Sequence, residues 1–287
     1  MTMEQKLVAF IDILGFSKLI ERYDSGETYI LTELKDAVDP VSSFLRDKVQ
    51  IKEFSQTPFF DWKDCLSVRL FSDCLCVAAP LSYKTYEFYE QLNFFYKYLM
   101  GFQIGLMEKG FFIRGAVTIG SHYIDENMIF SGGLVEAYNL EKEKAKYPRI
   151  IISEKLIKEI KKIESLRIEE LDYMIIIDNS ETMFFNHFNY NLIDSRFIDK
   201  MLSNNPLFKS FQGIIDKSYE ELDEEEKIKS LKKIKEISTL EIVNAQKESD
   251  SGKRDSIINK HRWLIDFIDF ELKISNKHEF KTYKNWR

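Results

Sequence analysis

"LVAFIDILGFS", residues 7–17, decides how the rest of the chain is read. Residues 6–14 are mostly apolar and alternate poorly, the pattern of a strand covered on both faces. Gly15-Phe16-Ser17 ends the run, and Ser17 is predicted to N-cap a helix through "KLIERY". The anomaly is Asp12. A carboxylate inside a buried strand is costly unless it meets a base, hydrogen-bond donors or a metal ion.

The same reading extends outward. "GETYILTELKDAVDPVSSFLRDKV" is predicted to continue as helix, interrupted near Pro40, and residues 50–64 read as a loop or edge segment. In "CLSVRLFSDCLCVAAP", residues 65–80, two short apolar runs flank Ser72-Asp73, a hairpin pattern. A long amphipathic helix follows over residues 81–110, closed by Gly110, with its aromatics at core spacing. "FFIRGAVTIGSHYID" is a predicted strand, "ENMIFSGG" a loop, and "LVEAYNLEKEKAKY" a helix. "RIIIS" is a strand, "EKLIKEIKKI" a helix, and "YMIIID" and "TMFFNHFN" two more strands. The charge-dense "EELDEEEKIKSLKKIKEIS" reads as a solvated helix with i,i+4 pairs. "IINKHRWLIDFIDFEL" reads as a helix that docks through Trp263, Leu264, Phe267, Ile268 and Leu272 on the domain or on a partner subunit.

The order strand, helix, strand, strand, helix, strand predicts an α+β, palm-like (ferredoxin-like, split βαβ) fold, a mixed sheet covered by helices. Residues 1–193 are expected to form this domain, and residues 194–287 a helical C-terminal extension. In such a fold the first strand lies beside the hairpin, so Asp12 and Asp73 meet at one end of the sheet. Two close carboxylates repel unless one is protonated or a cation lies between them. Mg²⁺ favours such acids together with substrate phosphates. The two acids alone read equally well as a cation site or as a turn-capping Asp73 and a strand-end Asp12.

Composition narrows the function. A net charge of −6 and no long basic face argue against a nucleic-acid palm or a general nucleic-acid binder. Cys65, Cys74 and Cys76 are an odd, clustered set, read as reduced thiols, with Cys74 packed inward. The four scattered histidines supply no zinc spacing, and no Ser-His-Asp or Cys-His set stands out. "MTMEQKL" lacks an apolar signal core, and no run approaches the roughly 18 apolar residues of a membrane span, so a cytoplasmic protein is expected.

Four segments in register carry a family resemblance. "FIDILGFS" (10–17) resembles the first metal-binding motif of class III nucleotidyl cyclases, and "LFSDCLCVA" (70–78) their hairpin with the second metal-binding acid. "IRGAVTIG" (113–120) is similar to their later strand, and "FSGGLVEAYNLE" (130–141) to the loop and helix beyond it. The resemblance implies two Mg²⁺ or Mn²⁺ ions held by Asp12, Asp73 and the Ile13 carbonyl. It implies a phosphate-contacting turn of Leu14, Gly15, Phe16 and Ser17, with Arg114 on the triphosphate. It also implies active sites at a homodimer interface. Arg114 read without it is a strand-edge arginine. Arg69 reads equally as a base-recognising residue or as a cross-strand ion pair.

Three positions depart from the purine cyclases. Glu136 and Leu140 stand where an interface Asn and a transition-state Arg are usual, and Ile129 where many members place an acid. "GGLVEAYNLEKEKAKYPRIIIS" and "KHRWLIDFID" instead resemble the pyrimidine cyclases of bacterial Pycsar anti-phage systems. That implies conversion of UTP or CTP to a 3′,5′-cyclic monophosphate, read by a separate effector protein, with Tyr138, Glu136 and Lys144 as candidate substitutes in the interface helix. A degenerate nucleotide-binding module and a purine cyclase are the other readings.

Overall fold

The computed structural model describes residues 3–36, 66–163, 169–189, 224–273 and 280–282. The readings for 37–65, including Pro40 and Cys65, lie outside them. Strand β1 (Glu4–Ile13) leads into helix α1 (Phe16–Asp24). Strands β2 (Ser67–Phe71) and β3 (Cys74–Pro80) form the hairpin around Ser72-Asp73, where Ser72 takes φ 54°. Helix α2 (Thr85–Met107) precedes β4 (Ile113–Ile124), β5 (Ile129–Ser131) and α3 (Gly132–Lys144). Then come β6 (Ile150–Ile152), α4 (Glu154–Ile163), α5 (Glu169–Met174), β7 (Ile175–Ile177) and β8 (Met183–Phe185). Helices α6 (Glu224–Ala245) and α7 (Ser251–Glu271) and the short β9 (Lys281–Thr282) complete the described chain.

The described strands form one sheet in the order β2-β3-β1-β4-β6-β8-β7-β9, with β5 hydrogen-bonded to β4. The first four are antiparallel and show the split βαβ order expected from sequence; β4 and β6 are parallel, which makes the sheet mixed.

Both faces are covered, which explains the continuous apolar runs. Leu7, Ala9, Ile11 and Ile13 enter the core beneath α2 and α4; so do Ile150, Ile152, Ile175, Ile177 and Phe185. The alternate residues Ala116, Ile151, Ile176 and Phe184 pack against Leu231 and Ile234 of α6 and Trp263, Leu264, Phe267 and Ile268 of α7. The charge-dense helix is thus solvated on one side and seated on the other, and the last helix docks as expected. Among the described residues no helix is long and apolar enough to cross a membrane.

Helix α3 rides close over β1 and β4 because two glycines meet there. A Cβ on Gly133 would lie 2.8 Å from Val8 Cγ2, and one on Gly120 would overlap the Gly133 backbone. Gly120→Ala is therefore expected to cost about 1–3 kcal/mol in a urea melt, the range for overpacking against an atom that cannot step aside. An unchanged midpoint would contradict this packing.

Several elements differ locally from the sequence reading. Gly15, in the left-handed region at φ 75°, caps α1 without any side-chain hydrogen bond; Ser17 lies inside the first turn. The expected loop before α3 contains β5, and Ser131 caps α3 by accepting from the Leu134 N–H at 2.9 Å. Tyr173 and Met174 end a helix rather than begin a strand, and the strand expected over 182–189 is only Met183–Phe185.

Candidate active site

Register places the site residues in a row. Asp12 on β1 lies between Cys74 on β3 and Arg114 on β4. Neighbouring residues in such a row share a face of the sheet, here the face opposite the α2 core. Asp73 joins them from the hairpin turn, because the Ile13 N–H donates to the Asp73 carbonyl at 3.0 Å. Ligand atoms of Asp12, Asp73 and Cys74 all lie within 4.8 Å of one another. Cys74 does not pack inward as expected; its Sγ stands 3.5 Å from Asp73 Oδ1. Its partner position Asp12 faces the site, so Cys74 must as well.

The donor set fits a hard divalent cation. Burial, with the charges of Asp73 and Asp12, pushes the Cys74 thiol up to about 12, and a hard cation prefers oxygen donors to sulfur. That leaves the two carboxylates. In a strand the N–H and C=O of one residue point to the same side, so the Ile13 carbonyl also turns toward the hairpin. Oxygen donors of this kind suit Mg²⁺ or Mn²⁺.

The turn beyond β1 is anchored by the Leu14 N–H donating to the Phe112 carbonyl at 2.8 Å. Gly15 then starts α1, and the carbonyl of Gly15 accepts from the N–H groups of Lys18 and Leu19. Among the described residues no side chain caps this helix, which leaves its first N–H groups, those of Phe16 and Ser17, available to an anion.

Arg114 Nε lies 3.1 Å from Asp12 Oδ2 and 2.5 Å from Glu141 Oε1. Its N–H is aimed at Asp12, so the closer Glu141 oxygen makes an ion contact without an aligned hydrogen bond. Arg114 Nη1 reaches the Ala145 carbonyl at 3.4 Å. Glu141 is almost fully buried, on the inward stripe of α3 with Gly133 and Ala137. Sequence reasoning missed it, although that four-residue spacing marks an acid on a packing face. It also missed Lys260 of α7, which exerts a field on Asp12, Glu141 and Arg114.

Burial is the larger influence on both acids and raises Asp12 and Glu141 above the ordinary carboxylate range; Arg114 opposes it. A carboxyl raised in the folded state keeps its proton where the unfolded chain has released it. Its contribution to stability therefore falls as pH rises from the ordinary carboxylate value through the folded one. Glu141→Gln fixes the neutral form. In thermal melts of the metal-free protein it is expected to gain on wild type as pH climbs through that window. A difference that stays flat with pH would contradict the burial described here.

The other expected residues are not brought to the acids. Arg69 shares their face but sits on the edge strand, two strands from Asp12, and Nη2 donates to the Asp125 carbonyl at 2.8 Å. That contact tethers the β4–β5 turn. Glu136 accepts from Thr118 Oγ1 at 3.0 Å and pairs with Lys155. Leu140 packs against the α7 cluster, Ile129 packs against Val8, Cys76 and Ala78, and Lys144 is exposed. Tyr138 stands edge-on to Phe10, ring centres 5.3 Å apart.

No family model and no curated protein matches the sequence. Among solved structures, the monomeric guanylyl cyclase domain of the RhoGC fusion protein from the aquatic fungus Blastocladiella emersonii shares 14% identity at a TM-score of 0.38, over 64% of this chain and 94% of that one. The guanylyl cyclase Cya2 shares 10% identity at 0.38, over 64% and 91%. A bacterial light-regulated adenylyl cyclase shares 12% at 0.36, over 64% and 51%. At these scores the likeness adds nothing to the geometry.

Proposed function

We propose that the protein is a nucleotidyl cyclase that converts a pyrimidine nucleoside triphosphate, UTP or CTP, to its 3′,5′-cyclic monophosphate and pyrophosphate. The observation that carries this reading is the meeting of Asp12 and Asp73 at a strand end that runs straight into the uncapped Gly15 turn. Acids and open N–H groups side by side suit a cation and a phosphate bound together. Two divalent ions bound there would supply activation of the ribose 3′-hydroxyl and neutralisation of the triphosphate. Asp12, Asp73 and the Ile13 carbonyl would hold them. The turn of Leu14, Gly15, Phe16 and Ser17 orients the phosphates. Arg114, paired with Asp12 and set against buried Glu141, would present its charge to the triphosphate.

The choice of a pyrimidine rests on the sequence resemblance, as does the setting, a messenger made in anti-phage defence and read by a separate effector. A homodimer belongs to the same reading. Leu70 and Phe71 at the hairpin, Met128 and Phe130 on the β4–β5 hairpin, and Val135 and Tyr138 on α3 are large exposed apolar side chains that a second copy would cover.

A second reading is favoured by a specific observation. Leu140 and Ile129 are packed among apolar side chains, and Glu136 is tied to Thr118 and Lys155, so the purine-type interface groups are missing. On that reading the chain binds a metal–nucleotide without turning it over, or cyclises a purine by other contacts. Incubation of the purified protein with each ribonucleoside triphosphate and Mn²⁺ separates these outcomes. Cyclic UMP or CMP supports the main reading, cyclic AMP or GMP the purine one. Metal-dependent binding without product supports the degenerate module.

A further inference from the structure

Helix α7 reaches the end of the sheet where the acids meet. Helical spacing puts Lys260 on the stripe of Leu264 and Phe267, both fully buried, so its side chain starts on the inward face. The adjacent His261 stands edge-on to Phe112, ring centres 4.7 Å apart. The Phe112 carbonyl is the group that anchors the Leu14 turn. Leu14 and Leu140 pack against the cluster that contains Trp263 and Leu264. A second contact ties the same region: Lys18 Nζ of α1 lies 2.8 Å from Glu248 Oε2, just before α7.

Lys260 is half-buried and near enough to Asp12, Glu141 and Arg114 for their charges to act on it, yet among the described residues it closes no ion pair with any acid. The partly buried Lys6, Lys227 and Lys235 do. A half-buried ammonium without a direct partner is costly, and this one stands on the helix whose next residue packs on the anchor of the Leu14 turn. Burial and Arg114 both push its pKa down from the ordinary lysine value, a further sign that the cation is short of negative charge at close range. The surrounding charges are three carboxylates, Asp12, Asp73 and Glu141, against two cations, Arg114 and Lys260.

We propose that Lys260, carried by the C-terminal helix, is a substrate-contacting residue that binds the polyphosphate of the metal–nucleotide opposite Arg114. The proposal rests on the reading of the site as a triphosphate site. It makes α7 part of the active site.

The test uses the full chain with Lys260→Met, which keeps the aliphatic stem, Lys260→Arg, which keeps the charge, and Lys253→Ala on the exposed first turn of α7. Calorimetric titration with magnesium tripolyphosphate, which carries no base, and with Mg²⁺–UTP and Mg²⁺–ATP reads the contact directly. Lys260→Met is expected to weaken all the ligands the wild type binds by about 10- to 100-fold, the worth of a charged hydrogen bond. Lys260→Arg should stay within about 3-fold and Lys253→Ala at wild type. Where turnover is measurable, Lys260→Met raises KM more than it lowers kcat. Wild-type affinity in a folded Lys260→Met variant overturns the role of Lys260 and leaves the site reading intact. If the wild type neither binds any of these ligands nor forms product, the site reading fails and the proposal with it.

Discussion

Asp12→Asn and Asp73→Asn are each expected to lower cyclic nucleotide formation by about 10²–10³-fold or more, the scale of losing one preorganised charge at a reacting phosphate. Asparagine keeps the shape of the side chain and removes only the charge. The two substitutions should not weaken the fold. Asp12 is raised above the ordinary carboxylate range chiefly by burial, so its ionised form is a burden on the metal-free protein. Asp12→Asn should melt at or above the wild-type temperature while losing turnover, the trade-off of an acid kept for chemistry. Activity that survives either substitution, measured by quantifying the cyclic product at saturating Mn²⁺, would refute the two-acid site.

Trp263→Ala is expected to cost about 3–5 kcal/mol, the range for truncating a large buried aromatic. Trp263 stacks on Tyr147 at 5.1 Å, meets Phe184 edge-on at 5.4 Å, and lies 5.0 Å from the Arg149 guanidinium. Arg149 is itself buried and paired with buried Asp178. Losing the indole therefore opens a cavity and loosens the packing around a buried ion pair, which is costly to disturb. Urea denaturation should show a lower midpoint with an unchanged slope. Arg262→Ala, one residue away but exposed, should change stability by no more than about 0.5 kcal/mol. Equal effects of the two would show that α7 does not seal the second face of the sheet.

Periodicity made much of this legible. The runs around Asp12 and Asp73 read as strands because both faces are covered, and strand adjacency in the split βαβ order then brought the two acids together. Arg114 was legible only through the resemblance of "IRGAVTIG" to the cyclase strand, and the structure sets it in register with Asp12 across β4. Glu141 and Lys260 were not, because each reaches the site through packing of a distant helix that no local pattern encodes. Glu141 sits in a run of charged residues, "EKEK", that masks its inward position. Ser17 looked like the cap because serine caps by side chain, whereas this turn is made by the left-handed backbone of Gly15. Cys74 looked like core filling because thiols usually are, yet sheet alternation sends it to the face of Asp12 and leaves Leu75 to the core.

Mass spectrometry of the products formed when UTP, CTP, ATP and GTP compete, each at equal concentration with Mn²⁺ and high protein, tests the central claim most directly. Accumulation of a 3′,5′-cyclic pyrimidine monophosphate and pyrophosphate, abolished in Asp12→Asn, is the expected result. The absence of any cyclic product would contradict the claim.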